Sequence, residues 1–406
     1  MNSVESGPYK QQLIDGLDFY KTTMSQVAYE TEPEANVTFQ LKNRSHESLF
    51  AYIDQSVLQT RLDTIAERGF DDEELAYLGS LSLDDKPLFS ENYIDYLRSH
   101  QLPPISVDVT DFSVDIHVQS TGDWPMVTFW ETVTMAEINE LYFETKIARQ
   151  GLDITALYDE GDERLSQKIA LLQQYPGIKI ADFGTRRHFS YRWQKYVVER
   201  LAKELPGQFM GTSNVGLSKQ LGVRPVGTFA HEMPMVYAAL AEKHGDTVRN
   251  SHGAMLDDWY SRYGSALSIA LTDTFGSDFF FADFGGERAA AWRGMRHDSG
   301  DPIAFGEKAI SFYNEHGIDP TTKTIVFSDG LTIEDIVKLY SHFEGRIQTV
   351  FGWGTSLTND LGLPALNIVM KATMVDGTPT VKLSDVSDKH TGDDASVERY
   401  IHEFAA

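Results

Sequence analysis

Alternation of apolar and polar positions marks the first third of the chain. Apolar residues recur at every second position in Val107 and Val109, and again in Ile116 and Val118. A period of two is the pattern of a strand with one buried face. Residues 31–130 are therefore predicted to form an α+β region that contains an antiparallel sheet.

A second pattern of this kind lies near the C-terminus. The segment NIVMKATMVDGTPTVKLSD places the dipeptide Asp376-Gly377 between two strand-like runs. Asp-Gly is a strong signal for the tight turn of a β-hairpin. This hairpin is expected to join the N-terminal sheet, so the N-terminal α+β domain is predicted to span residues 1–135 and to be completed by residues 365–406.

The middle of the chain has a different pattern, in which short apolar runs end in polar loops that lead into helical segments. Seven such units lie between about residues 178 and 358: IKIADFGTRR, QFMGTSN, RPVGTFAHE, SIALTDTFG, WRGMRHDSGD, TIVFSDGL and IQTVFGWGTS. Parallel strands need helical crossovers, and repeated crossovers wind a sheet that can close on itself. Residues 136–364 are predicted to form an irregular, seven-stranded, TIM-like α/β barrel.

Loops that follow the strands of such a barrel gather at one face, which holds the active site. The two loops nearest the C-terminus are rich in glycine, whose exposed amides can bind a phosphate. They are Ser328-Asp329-Gly330 and Gly352-Trp353-Gly354-Thr355-Ser356. Either loop alone is explained equally well as a turn, whereas the pair favours a phosphorylated ligand.

Acidic side chains also follow several predicted strands, at Asp182, Asp273, Asp298 and Asp329. A single one is typical of a helix N-cap or a turn. Four on one face, beside a phosphate site, suit either Mg²⁺ held largely by phosphate oxygens or hydrogen bonds to ribose hydroxyls. No fixed set of protein ligands for the metal is predicted.

Three arginines occupy the same loops: Arg186, Arg187 and Arg296. Arginine pairs with a carboxylate or a phosphate through two parallel hydrogen bonds, although surface ion pairs with the many acidic residues are the alternative. Phe183 lies beside Arg186 and can stack on an aromatic ring, or it can pack in the core.

His231 ends the third unit, in the segment GTFAHE. Its position after a strand and the adjacent Glu232, which can orient an imidazole, make it a candidate for catalysis. A histidine is more often structural or exposed. Position and spacing alone leave His231 as one candidate among the twelve histidines of the chain.

Composition narrows the class of protein. A formal net charge of −25 opposes binding to nucleic acid or to an anionic membrane, and the absence of cysteine removes disulfides and thiolate chemistry. The chain also lacks a Walker P-loop and the motifs GxGxxG, HExxH and GxSxG. We expect a cytoplasmic protein whose anionic ligands are bound by local arginines, lysines or backbone amides.

The polar loops resemble those of the nicotinate phosphoribosyltransferase family. The resemblance runs in order through residues 18–24, 182–187, 211–214, 227–232, 271–276, 296–302, 351–355 and 382–385. It implies an N-terminal α+β domain packed on an irregular α/β barrel. It also implies transfer of a ribose phosphate from phosphoribosyl pyrophosphate to nicotinate, with ATP as co-substrate, Mg²⁺ as cofactor and a phosphorylated histidine.

The resemblance assigns roles by position. His231 matches the phosphorylated histidine, and Glu232, Asp273 and Asp298 are the other catalytic candidates. The candidates for the nicotinate site are Tyr20, Phe183, Arg186, Thr228 and Arg296. The candidates for the phosphoribosyl pyrophosphate site are Arg187, Ser328, Asp329, Gly330, Gly352, Gly354 and Thr355. In related enzymes the residue matching Tyr20 reaches the base from a neighbouring subunit, so a homodimer is expected.

Two alternatives stay open at this stage. Nicotinamide or quinolinate phosphoribosyl transfer would use the same scaffold, and another sugar-phosphate enzyme would need only the phosphate loops. A non-catalytic scaffold gives no reason for seven convergent polar loops.

Overall fold

The computed structural model describes residues 12–45, 47–109 and 115–405, so the parts of the predicted N-terminal domain at 1–11, 46 and 110–114 lie outside the described residues. The strands are β1 (Asn36–Asn43), β2 (Ser82–Leu83), β3 (Lys86–Pro87), β4 (Ile105–Asp108), β5 (His117–Asp123), β6 (Ile180–Asp182), β7 (Phe209–Thr212), β8 (Ile269–Leu271), β9 (Gly294–His297), β10 (Thr324–Phe327), β11 (Gln348–Trp353), β12 (Ile368–Val375) and β13 (Thr378–Pro379). The helices are α1 (Phe19–Thr31), α2 (Gln55–Arg68), α3 (Asp72–Ser80), α4 (Glu91–Ser99), α5 (Trp124–Val127), α6 (Trp130–Gln150), α7 (Ile154–Gln173), α8 (Tyr191–Glu204), α9 (Val215–Leu221), α10 (Glu232–His244), α11 (Ser251–Tyr263), α12 (Ser277–Ala291), α13 (Pro302–Glu315), α14 (Ile333–Phe343), α15 (Thr355–Thr358) and α16 (Asp394–Glu403).

An antiparallel sheet with the strand order β13-β12-β1-β5-β4 forms one part of the molecule. Strand β1 alternates buried and less buried residues, with Val37 and Phe39 in the core, as its period-two pattern predicts. The C-terminal hairpin turns at Asp376 and Gly377, which both have positive φ, and β12 pairs with β1 from Val37 opposite Val375 to Asn43 opposite Ile368. Chain segments more than 300 residues apart therefore share this sheet, while the predicted domain boundaries remain predictions.

A parallel sheet with the order β7-β6-β11-β10-β9-β8 forms the other part, so the fold is mixed α/β. Its central strands run in register, since Phe327 lies opposite both Phe351 of β11 and His297 of β9. Helices α8, α12, α13 and α14 connect successive parallel strands. The carboxyl ends of the strands, and the loops that follow them, therefore meet along one edge.

The predicted count of seven strands is not confirmed, because the described residues form six strands in this sheet. The unit RPVGTFAHE contains no strand. It makes a single bridge, between Pro225 and Thr212, and Val226 N donates to Thr212 O at 3.0 Å. Proline has no backbone N–H, so Pro225 cannot extend a hydrogen-bonded ladder.

Helix α1 joins the two parts of the molecule. Its residues from Phe19 to Ala28 are all buried, including Lys21. A helix that is buried on every side packs against several neighbours at once, and α1 contacts both α5 and α11. This packing fixes the side chains of Tyr20 and Lys21 beside the loops of the parallel sheet. In the described part of the chain, no helix is long and apolar enough to span a membrane.

Candidate active site

A cavity of about 1330 Å³ opens where the loops after the parallel strands meet helix α1 and strand β12. Pockets for small ligands usually have about 300–1,000 Å³, so this cavity has room for more than one substrate. Most residues predicted for the site line it: Tyr20, Phe183, Arg186, Arg187, His231, Glu232, Arg296, Asp298, Ser328, Asp329, Gly330, Gly352, Gly354 and Thr355. The wall does not include Thr228 or Asp273.

The imidazole of His231 is held from both ring nitrogens. Its Nδ1 lies 3.0 Å from Thr274 Oγ1, and its Nε2 lies 2.9 Å from both Asp298 Oδ2 and Lys382 Nζ. The two contacts of Nε2 require different forms of the ring: an Nε2–H, present in the imidazolium and in one neutral tautomer, donates to Asp298, whereas the other neutral tautomer accepts from Lys382. Burial and the charge of Lys382 lower the pKa of His231 to about 4. The ring is therefore neutral at pH 7 and carries a lone pair.

Two carboxylates flank this histidine. Asp273 Oδ1 lies 3.8 Å from His231 Nε2 and has no hydrogen-bond partner among the described residues, whereas Oδ2 accepts from Ser299 Oγ at 2.6 Å. Burial alone would raise the pKa of Asp298, but it stays well below its ordinary value because His231 and Arg296 face the carboxylate. Both acids are therefore ionised, and Lys382, 3.5 Å from Asp273 Oδ2, offsets part of their charge.

The predicted orienting role of Glu232 is wrong. One carboxylate oxygen of Glu232 accepts from Trp124 Nε1 at 2.6 Å and from Thr128 Oγ1 at 2.7 Å, and the other accepts from the buried Lys21. Thr274 and Asp298 orient the imidazole instead. Glu232 is the first residue of α10, so its contacts attach the start of this helix to α1 and α5.

An aromatic and basic wall forms another side of the cavity. The guanidinium of Arg186 donates to the hydroxyl of Tyr20 and lies 3.8 Å from Asp18 Oδ2. The ring of Phe183 lies against Gly352, where an added Cβ would approach ring carbons within 2.4 Å. Gly352 therefore leaves space for an aromatic ring, rather than serving only as a source of a backbone amide. Tyr20 reaches the cavity of its own chain.

Three further basic side chains line the cavity and leave donor groups without partners among the described residues. Arg187 and Arg44 form no ion pair with any described residue, and Arg296 Nε is buried without a hydrogen-bond partner. Burial and the charge of Arg186 lower the pKa of Arg187 to about 10. Buried charges are normally paired, so unpaired arginines at a cavity indicate an anionic ligand.

The first predicted phosphate loop follows β10. Ser328 Oγ donates to Asp298 Oδ1 at 2.7 Å, which ties this loop to the carboxylate beside His231. Asp329 accepts from Lys389 at 2.7 Å, and the same lysine donates to Asp298 O at 3.3 Å. The second loop begins α15 after β11 and lies beside the first at the cavity wall. Phosphate binding by these loops remains a prediction.

Two predicted residues contribute to the site from outside the cavity wall. Thr228 Oγ1 donates to Ile269 O at 3.2 Å, so this hydroxyl holds its loop against β8. Asp182 is fully buried and accepts from Thr212 Oγ1 at 2.6 Å, Gln194 Nε2 at 2.8 Å and Gly184 N at 2.8 Å. Asp182 thereby fixes the turn that carries Phe183 and Arg186. The nicotinate-binding role of Thr228 remains a prediction.

The cluster of His231, Asp273 and Asp298 does not fit a resident Mg²⁺. Its ligand atoms lie within 4.8 Å of one another, and the unpaired oxygen of Asp273 is suitable. However, the ammonium of Lys382 already lies 2.9 Å from His231 Nε2 and 3.5 Å from Asp273 Oδ2, and a metal there would occupy the lone pair of His231. Magnesium also prefers oxygen ligands and keeps several waters or phosphates.

Sequence reasoning missed several residues of this site, among them Lys382, Thr274, Arg44 and Lys371. Lys382 belongs to the matching segment 382–385, but it lies 151 positions from His231 in the chain. No local pattern joins the two residues. Burial and the charge of Lys382 lower the pKa of Lys371 to about 7, and no sequence signal distinguishes this lysine from an exposed one.

Comparison with known proteins agrees with this geometry. The sequence model described as the nicotinate phosphoribosyltransferase (NAPRTase) N-terminal domain matches residues 16–139, and that of the nicotinate phosphoribosyltransferase (NAPRTase) family matches residues 178–406. A nicotinate phosphoribosyltransferase from Chromobacterium violaceum is 39% identical over 405 residues, which cover 98% of this chain and 97% of that protein.

Solved structures show the same likeness. The crystal structure of a nicotinate phosphoribosyltransferase from Porphyromonas gingivalis superposes with a TM-score of 0.87 at 29% identity, covering 98% of this chain and 100% of the other. One from Vibrio cholerae superposes with a TM-score of 0.85 at 30% identity, covering 98% and 94%. The chain belongs to the nicotinate phosphoribosyltransferase family.

Proposed function

We propose that this enzyme joins nicotinate to the ribose of phosphoribosyl pyrophosphate and couples the transfer to hydrolysis of ATP through a phosphorylated His231. The observation that carries the coupling is the environment of His231: a neutral, partly buried imidazole between Lys382 and Asp298, at a cavity with unpaired arginines. A neutral ring nitrogen is a nucleophile, and a nearby ammonium stabilises the anion that phosphorylation creates.

Phosphorylation forms a bond between the ring nitrogen of His231 and the γ-phosphorus of ATP. The bond from that phosphorus to the bridging oxygen breaks, and ADP leaves with the electron pair. Lys382 can turn from the imidazole to the new phosphoryl group, which adds a charge of about −2 at neutral pH. Water later attacks the phosphorus, the N–P bond breaks with its electron pair returning to the ring nitrogen, and phosphate leaves. The cycle assists turnover only if the two forms of the enzyme bind substrates and products with different affinities.

In the transfer step the pyridine nitrogen of nicotinate attacks C1 of the ribose. The bond from C1 to the pyrophosphate oxygen breaks, and pyrophosphate leaves with the electron pair. The ribose ring carries positive charge in the transition state, as in glycoside chemistry. We propose that the ionised Asp298 stabilises that charge and that Asp273 assists it. Phe183 and Tyr20 present aromatic surfaces to the base, and Arg296 or Arg186 offers a guanidinium to its carboxylate.

Magnesium is proposed to enter with the phosphates of its substrates, because the residues around His231 do not form a fixed cage. The unpaired Arg187 and Arg44, together with the loops at Ser328 and Gly354, are proposed to bind the anionic groups of phosphoribosyl pyrophosphate. This assignment gives the unpaired guanidinium groups anionic partners when the substrate is bound.

We also propose that the six-stranded parallel sheet closes into an irregular barrel. The segment at Val226 and Thr228 hydrogen-bonds to Thr212 of β7 on one side and to Ile269 of β8 on the other. It would therefore close the six-stranded sheet into an irregular barrel in place of a seventh strand. The homodimer and the cytoplasmic location remain predictions. A dimer that shares Tyr20 would require this residue to exchange its contact with Arg186 for one across the interface.

One experiment tests both parts of the function. The enzyme is incubated with ATP labelled in the γ-phosphate, and acid-labile, alkali-stable label on the protein is measured. Formation of mononucleotide from nicotinate, nicotinamide and quinolinate is then measured with and without ATP. We expect label on the protein and ATP-stimulated formation of nicotinate mononucleotide. Product from another base only, or product without any labelled protein, would overturn the substrate or the coupling, respectively.

A further inference from the structure

Trp353 occupies an unusual place beside the cavity. It is the last residue of β11, it stands between Gly352 and Gly354, and its side chain is fully buried. Both glycines line the cavity. The indole does not line it and lies behind the wall. Its main-chain carbonyl accepts from Phe183 N at 2.9 Å, so the backbone of Trp353 also holds the residue that presents an aromatic ring to the cavity.

The indole N–H joins the two predicted phosphate loops. It donates to Leu331 O, which follows the Ser328 loop, at 3.1 Å, and to Ser356 Oγ, in the Gly354 loop, at 2.7 Å. The Ser356 hydroxyl in turn donates to Leu331 O. A buried indole N–H needs a partner, and here both of its partners belong to loops at the wall of the cavity.

Helix α7 holds the second loop from the other side. Lys168 Nζ donates to Ser356 O and to Asp360 Oδ2 at 2.7 Å, and it lies 5.6 Å from the centre of the Trp353 ring. The side chain of Lys168 is largely buried. Ser356 is thus fixed through its hydroxyl by Trp353 and through its carbonyl by Lys168.

We propose that Trp353 is a positioning residue for phosphoribosyl pyrophosphate, because its indole N–H sets the separation of the Ser328 and Gly354 loops, which are proposed to bind the anionic groups of this substrate. A ligand bound by two separate loops requires both of them in place, and displacement by about 1 Å weakens such a site strongly. The inference rests on the proposed function, in which these loops bind the phosphate. Trp353 acts through Leu331 and Ser356 and does not itself touch the substrate.

The test is Trp353→Phe, which keeps a large aromatic side chain but removes the N–H donor. Loss of about one net hydrogen bond corresponds to about a fivefold change in affinity. We expect the dissociation constant for phosphoribosyl pyrophosphate, measured by calorimetry without nicotinate, to rise about fivefold. The KM for nicotinate should change less than about twofold.

Trp259→Phe is the matched control. Trp259 is equally buried, and its N–H donates to a main-chain oxygen, Leu267 O, at 2.8 Å, but it does not line the cavity. The Trp259→Phe variant should lose about as much free energy of unfolding as Trp353→Phe and should bind phosphoribosyl pyrophosphate like the wild type. Equal dissociation constants for the two variants would overturn the proposal, and so would an equal rise in the KM for nicotinate.

Ser356→Ala supplies an independent route if Trp353→Phe does not fold. This change removes the hydroxyl that accepts from the indole and should also weaken binding. In the double variant the two losses should not multiply, because both changes break one hydrogen-bonded unit. Independent losses would overturn the role of Ser356. If Trp353→Phe forms product and binds phosphoribosyl pyrophosphate like the wild type, only this inference is refuted. If the wild type does not bind phosphoribosyl pyrophosphate, the proposed function is refuted as well.

Discussion

The two sides of the cavity differ in whether their charged side chains have partners of opposite charge. Around His231, the ammonium of Lys382 lies 3.5 Å from the ionised Asp273, and both Lys382 and the ionised Asp298 lie 2.9 Å from the imidazole. On the other side, Arg187 and Arg44 have no acidic partner among the described residues. The paired side keeps a histidine neutral and nucleophilic. The guanidinium groups of the unpaired side gain partners of opposite charge only when an anion binds. The paired side is therefore expected to contribute the reactive group, and the unpaired side to bind the anionic substrate.

Replacement of His231, the central residue of the paired side, is expected to have the largest effect on activity. His231→Asn removes the nucleophilic nitrogen but leaves the base and phosphate contacts, so stimulation by ATP should disappear while some uncoupled transfer remains. Rates with and without ATP measure this directly. His252→Asn is the control, because His252 also pairs with an aspartate, Asp283 at 2.7 Å, but on α11 away from the cavity. Equal ATP stimulation in wild type and His231→Asn would contradict the role of His231.

Removal of the cation on the paired side should give the next largest effect. Burial lowers the pKa of His231 first and Lys382 lowers it further, while Asp273 and Asp298 raise it. In Lys382→Met the pKa therefore rises toward the ordinary value of about 6.5. Phosphorylation needs the unprotonated ring, so its rate should stay flat from pH 5 to 8 in wild type, whereas in the variant the fall in rate toward low pH should begin at a higher pH. The rate of ADP release, measured as a function of pH, tests the direction of this change in the pKa of His231. Identical pH profiles for wild type and Lys382→Met would exclude Lys382 as a cause of the low pKa.

The basic residues of the cavity are tested by Arg296→Ala, since Arg296 Nε is buried without a hydrogen-bond partner among the described residues. A hydrogen bond to a charged group contributes about 1.5–3 kcal/mol, so the KM for nicotinate should rise about 10-fold to 100-fold and more than the KM for ATP. Arg288→Ala is the control, since Arg288 is already paired with Asp257 at 2.9 Å outside the cavity. An unchanged KM for nicotinate would remove Arg296 from the base site.

A poorly compensated charge away from the cavity should change stability rather than activity. Burial and the neighbouring Glu140 raise the pKa of Glu137 to about 8, and Arg61 lies 3.5 Å away. The folded state thus binds a proton that the unfolded chain releases near pH 4.5, and stability contributed by this group falls as pH rises from about 4.5 to 8. Glu137→Gln should raise the free energy of unfolding by about 1–3 kcal/mol at pH 8.

Below pH 4.5 the stabilisation by Glu137→Gln should vanish. The exposed Glu144 on the same helix provides the control. Denaturant unfolding of Glu137→Gln and Glu144→Gln at pH 4 and pH 8 measures both predictions. A similar gain in the two variants would show that net charge, rather than burial of Glu137, sets the pH dependence.

Some features of the fold could be read from local patterns and others could not. The alternation around Val37 and the Asp376-Gly377 turn determine a strand and a hairpin, because side-chain direction and turn geometry depend on neighbouring residues. The strand in RPVGTFAHE was mispredicted for an equally local reason, since Pro225 interrupts the ladder. The strand order β7-β6-β11-β10-β9-β8 required the folded structure.

The sequence by itself determined that Arg296 and the Ser328 loop belong to strand-like units and that His231 lies in a polar loop of the same series, and the family resemblance indicated the reaction. Only the tertiary structure decided that Lys382 meets His231, that Glu232 turns to Lys21, and that Arg187 stays unpaired. The physical reason is range: periodicity acts over a few residues, whereas the charge state and partner of a buried group depend on every chain segment packed around it.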